Sequence, residues 1–179
     1  MTTTKDIFTI TTPEQFKAKA LEVFRFQFEN NTIYRSFCDL LYINPSDISD
    51  LHEIPFLPIQ FFKSHQVLST TNPIETTFSS SGTTGQITSK HLVSDLSVYE
   101  TSFKLGFKHF YGNVKDYTIL ALLPNYLERE GSSLVYMVDH LIKDSNKPQS
   151  GFYLNNLDQL KDTLIALDHA GDWWYERTS

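Results

Sequence analysis

Between Phe78 and His91 the chain reads FSSSGTTGQITSKH, a stretch whose residue types and spacing point to chemistry. Glycines at 82 and 85 can take φ > 0, which lets successive backbone N–H groups converge into an anion-holding nest. The hydroxyls of Ser80, Ser81, Thr83 and Thr84 would add side-chain donors, and Lys90 brings a positive charge just beyond the loop. The stretch is not a Walker loop, because no Lys-Ser/Thr pair follows the second glycine at the P-loop spacing. A surface hairpin rich in Ser, Thr and Gly fits the same composition without any ligand.

A loop of this kind needs two strands to present it. Glu75–Ser79 and the β-branched Thr88–Val93 read as those strands, with the loop at the tip of their hairpin. Upstream, Thr12-Pro13-Glu14-Gln15 is a helix start: threonine caps, proline suits the first turn, and Gln15 completes a capping box. Phe16, Ala20, Val23, Phe24 and Phe28 then recur near helical spacing. A second helix is expected over Thr32–Tyr42, with Ile33, Phe37, Leu40 and Leu41 inward and Cys38 beside them as a small buried apolar residue. Pro45, Pro55 and Pro58 divide the next part into short pieces, with a helical turn at Asp47–Leu51 and a strand at Gln66–Ser69. Phe56, Phe61 and Phe62 are expected to anchor this connection, with lipid contact as their alternative use.

Beyond the hairpin, Ser94 is placed to cap a helix from Asp95 to about His109, with Leu96, Tyr99, Phe103 and Phe107 as its buried stripe. Tyr117–Leu123 is a continuous apolar run, the pattern of a strand buried on both faces. It enters a loop, Pro124–Glu130, where ligands collect in open α/β sheets. A helix starts near Ser132-Ser133, whose amides would favour an anion. A short strand at Gly151–Leu154 and a helix capped by Asn156 and running to Ala170 complete the series. Alternating helices and strands predict one α/β domain over residues 1–179, a largely parallel sheet flanked by helices.

Three segments carry a resemblance: PFLPIQFFKSH at 55–65, SSGTTG at 80–85, and LPNYLEREGSSLVYMVDHLI at 123–142. They resemble the adenylate-forming acyl ligases and, within that group, the LuxE-type acyl-protein synthetases, over about the N-terminal half of such an enzyme. The resemblance implies ATP-dependent activation of a fatty carboxylate to an acyl-adenylate, with transfer to a protein thiol or another acceptor. It assigns ATP to Ser80, Ser81, Gly82, Thr83, Thr84, Gly85 and Lys90, and Mg²⁺ to the phosphates. Many relatives place Pro-Lys soon after the second glycine, whereas Ile87-Thr88 stand there here and Lys90 follows two residues later. The family's Pro-x-x-His-like acyl-pocket loop matches PNYLEREG, which lacks the histidine, leaving Asn125 and Tyr126 as the acyl-pocket residues. The later adenylate motifs, the catalytic lysine and the acceptor cysteine have no counterpart. The chain is therefore expected not to complete the reaction alone, and Trp173, Trp174 and Tyr175 are expected to favour self-association. The second reading is a non-catalytic fragment that binds a nucleotide or acyl group, or an interaction module.

Composition narrows the classes further. A hydrophobic fraction of 40% and an aromatic fraction of 14% describe a folded chain. A net charge of −6 gives no electrostatic reason to bind nucleic acid. Cys38 is the single cysteine, so no internal disulfide forms, and a reducing cytoplasmic setting is expected. No apolar window reaches the ~18 residues of a membrane span. His52, His65, His91, His109, His140 and His169 show no i,i+4 pair, so no metal site is expected, and His91 alone lies near the loop.

Overall fold

The structure, a computed structural model, describes residues 4–80, 88–124 and 131–169. Its contacts divide the chain into two compact units, residues 1–102 and 103–179.

In the first unit a 3-10 turn at Thr4–Thr9 precedes α1, Pro13–Asn30. The capping box forms as the sequence implies: Thr12 Oγ1 accepts the Gln15 amide at 3.2 Å, and Gln15 Oε1 accepts the Thr12 amide at 3.2 Å. Asn31 makes the corner into α2, Thr32–Leu40. Its amide donates to the Gln27 carbonyl at 2.9 Å, and its Oδ1 accepts the Tyr34 amide at 3.1 Å. One buried residue thus closes one helix with its backbone and opens the next with its side chain.

That register decides which face of α2 is inward. Tyr34 and Cys38, one turn apart, are buried with Phe24, and Phe28, Phe37, Ile43 and Ile54 pack around them. Leu40, expected inward, is 79% exposed because it falls on the side away from this seam, and Leu41, also expected inward, is 49% exposed as the cap residue where the helix ends. The helix stops short of the expected Tyr42, whose φ of 57° is left-handed and cannot continue it. The rings of Phe24 and Tyr34 meet edge to face, 6.2 Å between centroids. The Tyr34 hydroxyl donates to the Pro55 carbonyl at 2.6 Å, pinning the connection that follows.

That connection differs from expectation at three places. Helical geometry appears as a 3-10 turn at Leu51–Glu53 rather than at Asp47–Leu51, because Asp50 and Glu53 form their own capping box. Phe61, in the short α3 (Phe61–Ser64), does anchor, packing on Phe37 at 5.8 Å. Phe56 does not, at 82% exposed, since the extended backbone after Pro55 turns its ring outward. Gln66–Ser69 forms no strand; Ser69 Oγ instead bonds Gln27 Oε1 and accepts from Asn31 Nδ2, holding the segment against the α1–α2 corner.

The hairpin is present: β1 (Thr76–Ser79) pairs antiparallel with β2 (Lys90–Val93). α4 runs over Leu96–Tyr111. Asp95 rather than Ser94 serves its start, accepting the Ser97 amide at 3.0 Å, while Glu75 reaches across to accept the Leu96 amide at 2.8 Å. Leaving Ser94 outside the helix lets the Glu75 amide bond the Val93 carbonyl at 2.8 Å, which ties the hairpin base.

The second unit begins within α4. Gly112, at φ 85°, turns the chain out of the helix into a 3-10 turn at Val114–Asp116. β3 (Leu120–Ala121) pairs in parallel with β4 (Gly151–Phe152). Between them α5, Ser133–Ser145, starts on a Ser132 hydroxyl that accepts the Val135 amide at 3.3 Å. It ends at a left-handed Asn146, φ 51°. Buried Ser145 donates to the Ile142 carbonyl and bonds Ser150 Oγ, which accepts the Ile119 amide at 2.9 Å. α6, Leu157–His169, follows the expected cap, with Asn156 Oδ1 accepting the Gln159 amide at 3.2 Å.

The largely parallel sheet is not what the described residues form. They hold two two-stranded sheets, one antiparallel and one parallel, among helices, so the chain is mixed α and β. The run 117–123 pairs only over Leu120–Ala121, with Tyr117 37% and Leu122 55% exposed. Among the described residues β3 pairs with β4 alone, so it stands at the edge of a two-stranded sheet and not at the centre of a larger one. Gly151–Leu154 shortens with it. Among the described residues no helix is long and apolar enough to cross a membrane.

Candidate functional site

The hairpin sets the mouth of the glycine loop. Phe78 is 7% exposed and packs on Tyr99 from α4, centroids 5.3 Å apart. Alternation along β1 then turns Ser79 outward. The register pairs Phe78 with His91 and Ser79 with Lys90, and directly paired residues share a face. One face therefore carries Phe78 and His91, the latter stacked on Phe62 at 5.9 Å and 11° between planes. The opposite face carries Ser79 and exposed Lys90.

One step further, Ser80 and Ser89 close the mouth. The Ser80 amide donates to the Ser89 carbonyl at 3.0 Å, and the Ser89 amide donates to Ser80 Oγ at 3.1 Å. Ser80 Oγ acts as the acceptor in this bond, and a hydroxyl also carries one donor proton. The Ser80 hydroxyl and the Lys90 ammonium thus lie next to the ends of the loop, on successive residue pairs of the hairpin and so on alternate faces. Of the residues singled out from sequence, Ser80 and Lys90 are described here: Lys90 pairs with Ser79, and Ser80 bonds Ser89 one step further along the hairpin. Ser81, Gly82, Thr83, Thr84 and Gly85 lie outside the described residues, as do Asn125 and Tyr126.

Other candidates resolve as packing. Cys38 is fully buried in the α1–α2 core, and burial raises its thiol pKa, as for a packing residue. Burial also raises the Tyr34 hydroxyl beside it. His65 stacks on Phe61 and bonds Ser64 Oγ at 2.8 Å. Among the described residues no group of three His, Cys, Asp or Glu could hold a metal ion. In the second unit a cavity of about 490 Å³ is bordered by Lys104, Lys108, Asn113 and Asp144. Lys104 is already paired with Asp144 at 3.1 Å. The cavity also lies at the C-terminal end of α4, where the helix dipole disfavours anions.

Sequence reasoning missed a second feature of the first unit. The apolar face of α1 is only half covered: Phe16, Ala20, Val23 and Phe24 line an open groove of about 370 Å³ against Leu51–Leu57. The helical spacing of these residues marked the face, but nothing local indicated that Phe56 would leave it open.

The family model for acyl-protein synthetase, LuxE, matches residues 10–120, a span that includes α1, the hairpin and the glycine loop. No curated protein and no solved structure matches the chain.

Proposed function

The chain belongs to the LuxE acyl-protein synthetase family, and on that premise we propose that it is the ATP-binding part of an enzyme activating a fatty carboxylic acid for transfer to a protein thiol or another acceptor. The observation that carries this reading is the match over residues 10–120, which takes in SSGTTG at 80–85 on a closed hairpin mouth. In the proposed reaction a carboxylate oxygen attacks the α-phosphorus of ATP, the bond to the β-phosphate bridging oxygen breaks, and pyrophosphate leaves. The acceptor sulfur then attacks the acyl carbon and AMP departs.

What this chain's own residues contribute is hold and charge. The amides of 81–85 and the hydroxyls of Ser80, Ser81, Thr83 and Thr84 would donate to the β- and γ-phosphates and stabilise charge on the departing pyrophosphate. Lys90, paired with Ser79, would add a cation beside the loop. What supports a polyphosphate ligand is the Ser80 hydroxyl at the loop's edge and the exposed Lys90 on the return strand. Mg²⁺, arriving with ATP, would shield the phosphate charge. Asn125 and Tyr126 are proposed to border the acyl group.

The test is Gly82→Val. A β-branched side chain where backbone meets phosphate should weaken ATP binding at least tenfold in calorimetry while leaving the melting temperature nearly unchanged. Equal ATP affinity in the two proteins refutes the phosphate-loop assignment.

A further inference from the structure

We infer that His91 is a positioning residue for the glycine loop, holding the return strand through its stack on Phe62 and touching no ligand itself. The inference rests on the proposed function for the ligand and adds to it the side chain that aims the loop. A two-stranded hairpin is only marginally stable alone in water, so its direction is set by what it packs against. The Phe78–His91 pair lies two steps before the Ser80–Ser89 closure, and its two members share a face. Each meets a ring from a different helix. Phe78 packs on Tyr99 of α4, and His91 lies on Phe62 of α3 with planes only 11° apart, an offset stack.

α3 is itself fixed to the first helical pair. Phe61, next to Phe62, meets Phe37 edge to face at 5.8 Å, and Phe37 packs against the buried Phe24, Tyr34 and Cys38. A line of contacts thus runs from that core through α3 to His91, which adjoins Lys90 and stands two residues from Ser89. β1 has its own tie at the base of the hairpin, where the Glu75 carboxylate accepts the Leu96 amide at 2.8 Å. On β2 the exposed positions next to the loop are Lys90 and His91, and His91 is the one that packs. Alternation puts the two on opposite faces, so the strand offers a cation on one side and an anchor on the other. A loop whose ends are already held loses less conformational entropy when it takes a ligand, and that difference appears as affinity.

The experiment is calorimetry of the full chain with ATP-Mg²⁺ and with AMP, alongside melting temperatures. The proteins are wild type, Gly82→Val, His91→Ala, His91→Phe, Phe62→Leu and the double variant His91→Ala with Phe62→Leu. His91→Ala should weaken ATP about two- to tenfold, the worth of one stacked pair, with the melting temperature nearly unchanged. AMP affinity should not move, because the loop is proposed to hold the β- and γ-phosphates. His91→Phe keeps a flat ring on Phe62 and should restore most of the loss. Phe62→Leu should weaken ATP to the same extent, and the double variant no further than either single one, since all three break the same contact. Wild-type ATP affinity in His91→Ala, no recovery in His91→Phe, or losses that add in the double variant each overturn the positioning role. If Gly82→Val still weakens ATP, the proposed function stands without it. Wild-type ATP affinity in Gly82→Val overturns the proposed function and the positioning role together.

Discussion

Ser80 and Ser89 hold each other twice: the Ser80 amide donates to the Ser89 carbonyl, and the Ser89 amide returns a bond to the Ser80 hydroxyl. The second bond gives the glycine loop a mouth set by a side chain as well as by strand pairing. Ser80→Ala removes it together with the hydroxyl proton. Both groups are accessible to water, so the stability cost should stay near ~1 kcal/mol. ATP affinity should fall several-fold, and Ser80→Thr should restore most of it. Calorimetry with ATP-Mg²⁺ on the three proteins checks this, and an alanine variant with wild-type affinity would count against a ligand role for Ser80.

Lys90 faces away from Phe78, alongside Ser79. If it serves the phosphates, Lys90→Ala should weaken ATP more than AMP, because ATP carries the β and γ charges. An exposed charge is worth at most about 1 kcal/mol per contact, so a loss of roughly fivefold for ATP and none for AMP is expected. Equal affinities in wild type and variant for both nucleotides would place Lys90 on a solvated strand face only.

Local signals in the sequence were accurate where the cause is itself local. The Thr12–Gln15 box and the Asn156–Gln159 cap form as read, since each involves groups within one helical turn. The hairpin 76–93 also forms, its limits trimmed by one or two residues. What the sequence did not show depends on distant partners. Asp50-x-x-Glu53 is an exception, a local capping box that sets the turn at Leu51–Glu53 where the sequence reading places it at Asp47–Leu51. The inward face of α2 is fixed by Asn31 and by a Tyr34 bond to Pro55, twenty-one residues away. The apolar run at 117–123 reads as a central strand, yet pairing over Leu120–Ala121 depends on where residues 151–152 lie. For the candidate site the residue types were legible, and the closure of its mouth by Ser89 was not.

Phe24 ties α1 to α2 through its edge-to-face contact with Tyr34, at 3% exposure. Phe24→Ala should therefore cost about 3–5 kcal/mol. Phe16→Ala, on the same helix but at the open rim, should cost less than ~1 kcal/mol. Urea melts of the two variants measure the contrast. Similar losses in both would mean that the open side of α1 is covered in solution.

Cys38 should be silent in the folded chain. It is fully buried, and burial raises its thiol above its ordinary value of 9.0, so thiolate at neutral pH is scarce as well as shielded. Iodoacetamide at pH 7.5 should label it only at the rate of unfolding, and quickly in 6 M urea. An acyl group delivered by the enzyme should not be found on it. Mass spectrometry reads both outcomes, and rapid labelling under native conditions would contradict the packing of α2.

The turn at Asp50–Glu53 should make the N-terminal unit acid-sensitive. The Lys17 ammonium, 2.9 Å from Asp50, and the His52 amide hold the Asp50 carboxyl below its usual 3.8. The Ser49 and Asp50 amides hold Glu53 below its usual 4.5. Both groups release their protons more readily in the folded state, so their stabilisation is complete above the unfolded values. It is lost as pH falls from about 4.5 through the lower folded values. Thermal melts should be flat on this account between pH 7 and 5 and fall below that. Asp50→Asn with Glu53→Gln removes both titrations, so the variant should be less stable at pH 7 and lose less on acidification. A variant whose melting temperature declines as steeply as wild type between pH 5 and 3 would place the acid sensitivity elsewhere in the chain.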